Sequence, residues 1–116
     1  MTTELHGIVR FRFHEGKVEE FKRLSERCME IVREEPGTLQ YDTFFNEDET
    51  ECIVIERFRD SEALIQHAEN LAHLNDAIIA TGETVSGELL GDLSPELRQR
   101  FDPDGPVQLF APWARL

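Results

Sequence analysis

Few side chains in this chain can move a proton or hold a developing negative charge, and they fall into two groups. His67 follows the apolar positions Ala63, Leu64, Ala68 and Leu71 of a predicted helix, so it should face whatever sheet that helix covers. An imidazole titrates near working pH and can take the proton of a weakly acidic hydroxyl. Its other use is as a hydrogen-bonded histidine at a helix–sheet junction. The second group lies on the alternating stretch 5–13, where His6, Ile8, Arg10 and Arg12 share one face and Leu5, Val9, Phe11 and Phe13 the other. An arginine on that face can stabilise an ionised oxygen. It can equally pair with Glu56 on a neighbouring strand, and an arginine held that way would be preorganised. Tyr41, the single tyrosine, joins an apolar ring to a hydroxyl able to reach a pocket, although packing is the commoner use of such a residue. The candidates are thus His67 and Arg10 for catalysis, with Arg12, Tyr41, His6 and Glu56 for binding substrate.

Other chemistries find little support. No glycine-rich phosphate loop follows a strand, and no serine sits in a nucleophile elbow. His73 lies six positions beyond His67, off its helical face, and Glu69 with His73 makes only two ligands, so no metal site is expected. Cys28 falls on an apolar helical stripe and Cys52 inside a strand, which suits two buried small side chains better than a disulfide. Against 12 basic residues stand 24 acidic ones, for a net charge of −12. That field repels phosphate backbones and anionic membrane surfaces, so neither nucleic acid nor membrane is an expected partner. No basic region followed by an apolar run marks a signal peptide, and no stretch is long enough to span a bilayer. The expected setting is soluble and cytoplasmic.

The elements that must position these residues follow from periodicity. After the strand at 5–13, Val18, Phe21, Leu24, Cys28, Ile31 and Val32 form one stripe of a helix over about 17–35. Pro36 stops it by excluding the preceding residue from the α region, and Gly37 permits a tight reversal. A second strand over about 38–46 places Leu39, Tyr41, Thr43 and Phe45 on one side, and a polar loop leads to a third over 51–58. Asp60 or Ser61 caps a helix starting at Glu62, with a break expected at Asn70 and a second piece over 71–80. A fourth strand covers 84–90. Residues 91–116 form an extension with a short helix opened by Ser94-Pro95-Glu96 and a possible fifth strand at 107–110.

The order βαββαβ in a single domain of 116 residues predicts an α+β, ferredoxin-like antiparallel sheet with both helices on one face. The bare face would carry Ile8, an aromatic from the second strand and an apolar residue from the third. Covering it with a second copy predicts a homodimer.

Within this frame Glu35-Pro36-Gly37 followed by Tyr41, then Ile55-Glu56-Arg57-Phe58, then Ser61-Glu62-Ala63-Leu64 and His67, resembles the antibiotic biosynthesis monooxygenases, the dimeric α/β-barrel proteins. The resemblance spans roughly residues 5–90. It implies two sheets closing around a cavity that holds a small aromatic substrate. It also implies no flavin, haem or metal, because a deprotonated phenol or quinol itself reduces dioxygen. Phe58 departs from the pattern where a tryptophan is frequent, and the extension beyond 90 exceeds the minimal length. Relatives that degrade haem use an asparagine, a tryptophan and a histidine; here the first strand has no asparagine and Trp113 is in the tail, which argues against haem. The expected function is therefore cofactor-free oxidation of a quinol or phenol, with Arg10 or Arg12 on the ionised oxygen and His67 taking the proton. Its rival is a non-catalytic ligand-binding or regulatory dimer on the same scaffold.

Overall fold

The computed structural model describes residues 2–116. Its elements are β1 (Leu5–Phe13), α1 (Val18–Val32), β2 (Thr38–Phe45), β3 (Glu51–Phe58), α2 (Ser61–Ile79), β4 (Gly82–Leu90), α3 (Pro95–Arg98) and β5 (Val107–Phe110). The strands form one open sheet in the order β2-β3-β1-β4-β5. All neighbours are antiparallel except β4 and β5, which run parallel. This is the expected ferredoxin-like α+β arrangement with the extension added at the β4 edge.

Register divides the side chains of the sheet into two sets. Leu5, Gly7, Val9 and Phe11 lie opposite Phe58, Glu56, Val54 and Cys52 on the face that α1 and α2 cover. Tyr41, Thr43 and Phe45 extend that inner face along β2. His6, Ile8, Arg10 and Arg12 point the other way, beside Arg57, Ile55, Ile53 and Glu51.

The inner face packs as three apolar groups. Phe11, Phe21 and Cys52 form one with Phe13, Phe45, Val54 and Ile78. Leu24 and Cys28 of α1 meet Leu74 of α2 in a second, beside Tyr41. The third joins Leu5, Ile65 and Leu89 to Leu97 of α3, which is 1% exposed. Ser94 caps α3 and its backbone N–H donates to the Ser61 hydroxyl at 2.9 Å, so the extension is docked on the domain. Trp113, beyond β5, is 99% exposed and lines no part of the cavity described below.

Three local expectations change. A register shift between Thr38 and Gln40 turns Leu39 outward, so only Tyr41, Thr43 and Phe45 keep the inner side. β4 starts at Gly82, which pairs with Phe13. α2 also runs unbroken through Asn70, because that side chain finds partners other than its own backbone: it donates to Glu35 and accepts from Gln66. Among the described residues no helix is long and apolar enough to cross a membrane.

Candidate active site

Between the inner face and the two helices lies a cavity of about 480 Å³. Val9, Phe11, Thr43, Cys52 and Val54 floor it, while Phe21 and Cys28 of α1 face Leu71 and Ile78 of α2 across it. Its polar end is made by Tyr41, Glu56 and His67. Among the described residues no lysine or arginine lines it, so Glu56 and His67 supply the full charges that a bound molecule would meet.

His67 is 7% exposed and carries a carboxylate on each side. Its Nδ1 lies 2.8 Å from Glu35 Oε1, and its Nε2 lies 3.4 Å from Glu56 Oε1. The ring is wedged between Tyr41 and Phe58, with centroids 5.3 and 5.0 Å away. Aromatic walls fix the plane of the imidazole while the carboxylates fix both nitrogens. Burial works against a charged imidazole here, but hydrogen bonds and charge from Glu56 and Glu35 outweigh it and raise the His67 pKa above its ordinary value. Burial likewise acts to raise Glu35, and the donors His67, Asn70 and Thr38 together hold it below the usual carboxylate range. Tyr41 is pushed up by burial first and by Glu56 next, so its hydroxyl stays protonated and can donate.

Local folding explains how three distant segments meet. Asp60 accepts from the Ala63 N–H at 2.9 Å and starts α2 in the frame that turns Ala63 and His67 to the same side. Gly37 then lets the α1–β2 turn sit directly on α2. A Cβ at position 37 would lie 2.5 Å from the Ala63 Cβ, too close for any side chain. The Gly37 carbonyl accepts from the Arg59 N–H at 2.8 Å, which ties the turn to the end of β3. Glu35, one residue before Pro36, is thereby delivered to His67. Gly7 plays the matching part for Glu56: a Cβ there would stand 3.1 Å from the Glu56 carboxylate.

The structure brings together three of the six sequence candidates, Tyr41, Glu56 and His67. Arg10, Arg12 and His6 are on the opposite face of the sheet. The expected ion pair with Glu56 does not form, because Arg10 and Arg12 stand in register with Ile53 and Glu51 and pair with Glu51 at 3.9 and 3.4 Å. Glu56 alternates to the inner side and meets His67. Glu35 and Phe58 join the site as well, although the sequence pointed to them only through the family resemblance and marked neither as a site candidate. Cys28 and Cys52 are free thiols in the cavity wall, and burial pushes the Cys52 thiol up to about 11, far from a nucleophile's range. No group of three or more His, Cys, Asp or Glu side chains among the described residues is arranged to hold a metal ion.

A family model for antibiotic biosynthesis monooxygenases matches residues 5–77, which includes β1 through most of α2 and every residue of the polar end. The chain belongs to this family. MupZ from Pseudomonas fluorescens is 25% identical, with a TM-score of 0.79 over 100% of this chain and 90% of its own. SnoaB from Streptomyces nogalater, a cofactor-independent oxygenase, is 19% identical with a TM-score of 0.67 over 76% of this chain and 91% of its own. Rv0793 from Mycobacterium tuberculosis is 21% identical with a TM-score of 0.69 over 78% of this chain and 96% of its own. The last two likenesses concern the monooxygenase fold alone, and the match to MupZ takes in the C-terminal extension as well. No curated protein matches the sequence.

Proposed function

We propose that this antibiotic biosynthesis monooxygenase oxidises a small neutral phenol or quinol with dioxygen, without a cofactor. The observation that carries the reading is the His67–Glu56 pair facing a cavity with no other full charge. An apolar chamber of this size suits one aromatic ring system, and its acidic end favours a neutral molecule over a preformed anion. The pair takes the phenolic proton and so generates a phenolate where water is scarce. Tyr41, kept protonated, donates to the oxygen that carries the charge. The electron-rich ring then reduces dioxygen directly. One oxygen atom enters the ring, the other leaves as water, and the substrate supplies all four electrons, so that phenol and dioxygen give quinone and water. SnoaB, a cofactor-independent oxygenase of the same fold, is consistent with such chemistry on this scaffold.

The outer face supports a homodimer. Leu39 and Phe44 are 42% and 56% exposed there, beside Ile8, Ile53 and Ile55, and no element among the described residues covers them. A second copy packing sheet to sheet would bury them and make the dimeric barrel of two sheets. Sedimentation of Phe44→Asp against the parent checks this arm, with loss of the dimer as the expected outcome.

Oxygen uptake with a panel of quinols and naphthols tests the activity. One dioxygen consumed per quinone formed is expected, with turnover lost in His67→Ala. If no member of the panel is oxidised while aromatic compounds raise the melting temperature, the protein is a binder and not an oxidase.

A further inference from the structure

The cavity is one of two concavities, one on each side of the His67–Glu35 contact. The other is a cleft of about 450 Å³ on the far side of the imidazole, bordered by Glu35, Gly37, Arg59, Glu62, Gln66 and Asn70. His67 lines the cavity and Glu35 lines the cleft. The 2.8 Å contact between His67 Nδ1 and Glu35 Oε1 therefore crosses the layer that separates the two. Ile31 borders the cleft, and Tyr41 and Leu71 border the cavity.

Glu35 is held with more care than a surface carboxylate at a helix end requires. Oε1 accepts from His67 Nδ1 and from the Thr38 hydroxyl, both at 2.8 Å. Oε2 accepts from Asn70 Nδ2 at 2.8 Å. Three donors from α2 and β2 thus orient a carboxylate that is 6% exposed, with its edge toward the cleft. We propose that Glu35 is the positioning residue of the site, fixing the Nδ1–H of His67 and with it the plane and charge of the imidazole that pairs with Glu56. The pair takes the phenolic proton on the Glu56 side while the Nδ1–H stays in its hydrogen bond to Glu35, and the proton returns to the chamber as dioxygen is reduced to water.

This assignment rests on the proposed oxidation only for its kinetic arm. The groups that face His67 are Glu35 from the α1–β2 turn, Glu56 and Phe58 from β3, Tyr41 from β2 and the Cys28 thiol across the cavity. Those that border Glu35 in the cleft are Glu34, Arg59 and Glu62. The test is the titration of the His67 imidazole by nitrogen-15 NMR in the full chain and in Glu35→Gln, which keeps the shape and removes the charge. The midpoint should fall by about one to three pH units in the variant, the usual effect of losing a carboxylate in contact. Glu35→Asp should restore part of that shift, and Glu35→Ala serves in place of Glu35→Gln if that variant does not fold. With a substrate in hand, Glu35→Gln should lower kcat at an unchanged KM and carry the pH–rate profile with the new midpoint. An unmoved midpoint in the variant that lacks the carboxylate overturns the assignment whether or not any phenol is oxidised. A moved midpoint with an unmoved rate profile overturns the part of Glu35 in the reaction. Absence of turnover in the parent protein sinks the oxidation reading instead, and leaves the titration to decide what Glu35 does.

Discussion

The two faces of β1 and β3 are made from alternate residues of the same strands, yet they put charge to opposite uses. The outer face holds more of it: Arg10 and Arg12 with Glu51, and His6 near Glu4, all partly open to water. The inner face holds one imidazole and two carboxylates, almost wholly buried. Exposed ion pairs are weakened by solvent, while the same contact in a buried setting is several times stronger and can shift a titration. The outer face suits solubility or a partner's sheet. The inner side, with fewer charged groups and little water, holds them close enough to shift one another's titration.

Removing the centre of the inner group should have the largest effect. His67→Ala leaves Glu35 and Glu56 buried without their cation, a change that typically costs about 3–5 kcal/mol, readable as a shift in urea unfolding. Turnover should fall by roughly a hundredfold or more, the usual worth of a positioned general base. A variant that unfolds like the parent would show that the triad stores no such coupling. The loss should also depend on pH. The His67 pKa is raised by folding, so its contribution is complete below about 6.5 and disappears as pH rises through the folded value. The Glu35 pKa is lowered by folding, so its contribution is present above about 4.3 and disappears as pH falls through the folded value. The stability gap between parent and His67→Ala should accordingly be widest between those two limits. A gap that grows steadily toward alkaline pH would contradict the assignment of charges.

Next in size comes the turn that delivers Glu35. Gly37→Ala puts a methyl group 2.5 Å from the Ala63 Cβ, and α2 must give way. Overpacking of this kind costs about 1–3 kcal/mol. Because Ala63 and His67 are one helical turn apart, the same shift should loosen the Glu35–His67 hydrogen bond and lower the His67 pKa. Thermal unfolding with NMR titration reads both effects. A stable variant with an unchanged His67 midpoint would detach the turn from the site.

Periodicity made the sheet and both main helices legible, and Glu-Pro-Gly placed the α1–β2 turn. It also placed Phe11 and Phe13 inside and the arginines outside. The partner of His67 was hidden because Glu35 sits at a helix end among Arg33, Glu34 and Pro36, where a charged residue looks solvated. Only the approach of Gly37 to Ala63 turns its carboxylate inward, and that contact joins residues far apart in sequence. Glu56 was assigned to the wrong partner for a related reason. Strand alternation fixes which residues share a face, but deciding whether Glu56 goes with Arg10 or with His67 requires the register of β1 against β3. Asn70 looked like a helix breaker until its amide was seen to hold Glu35.

The smallest effect is expected from the outer face, and it bears most directly on the contrast between the two. Arg10 and Arg12 have side chains 51% exposed and share Glu51, with Glu83 as a second partner for Arg12 at 3.4 Å. Pairs of this exposure are worth at most about 1 kcal/mol. Arg10→Ala and Arg12→Ala should therefore unfold close to the parent and keep kcat within about twofold, an effect of under ~0.5 kcal/mol on the barrier. Burial of these arginines against a second copy would strengthen the pairs, in which case their loss weakens the dimer and leaves the chemistry of each cavity alone. Sedimentation and steady-state rates on the same samples separate the two effects. A large drop in kcat with the dimer intact would place the reacting oxygen beside the arginines, and the sheet would then work from its outer side. The sheet backbone lies between the arginines and the cavity that His67, Glu56 and Tyr41 line together, which is why the smaller effect is the one expected.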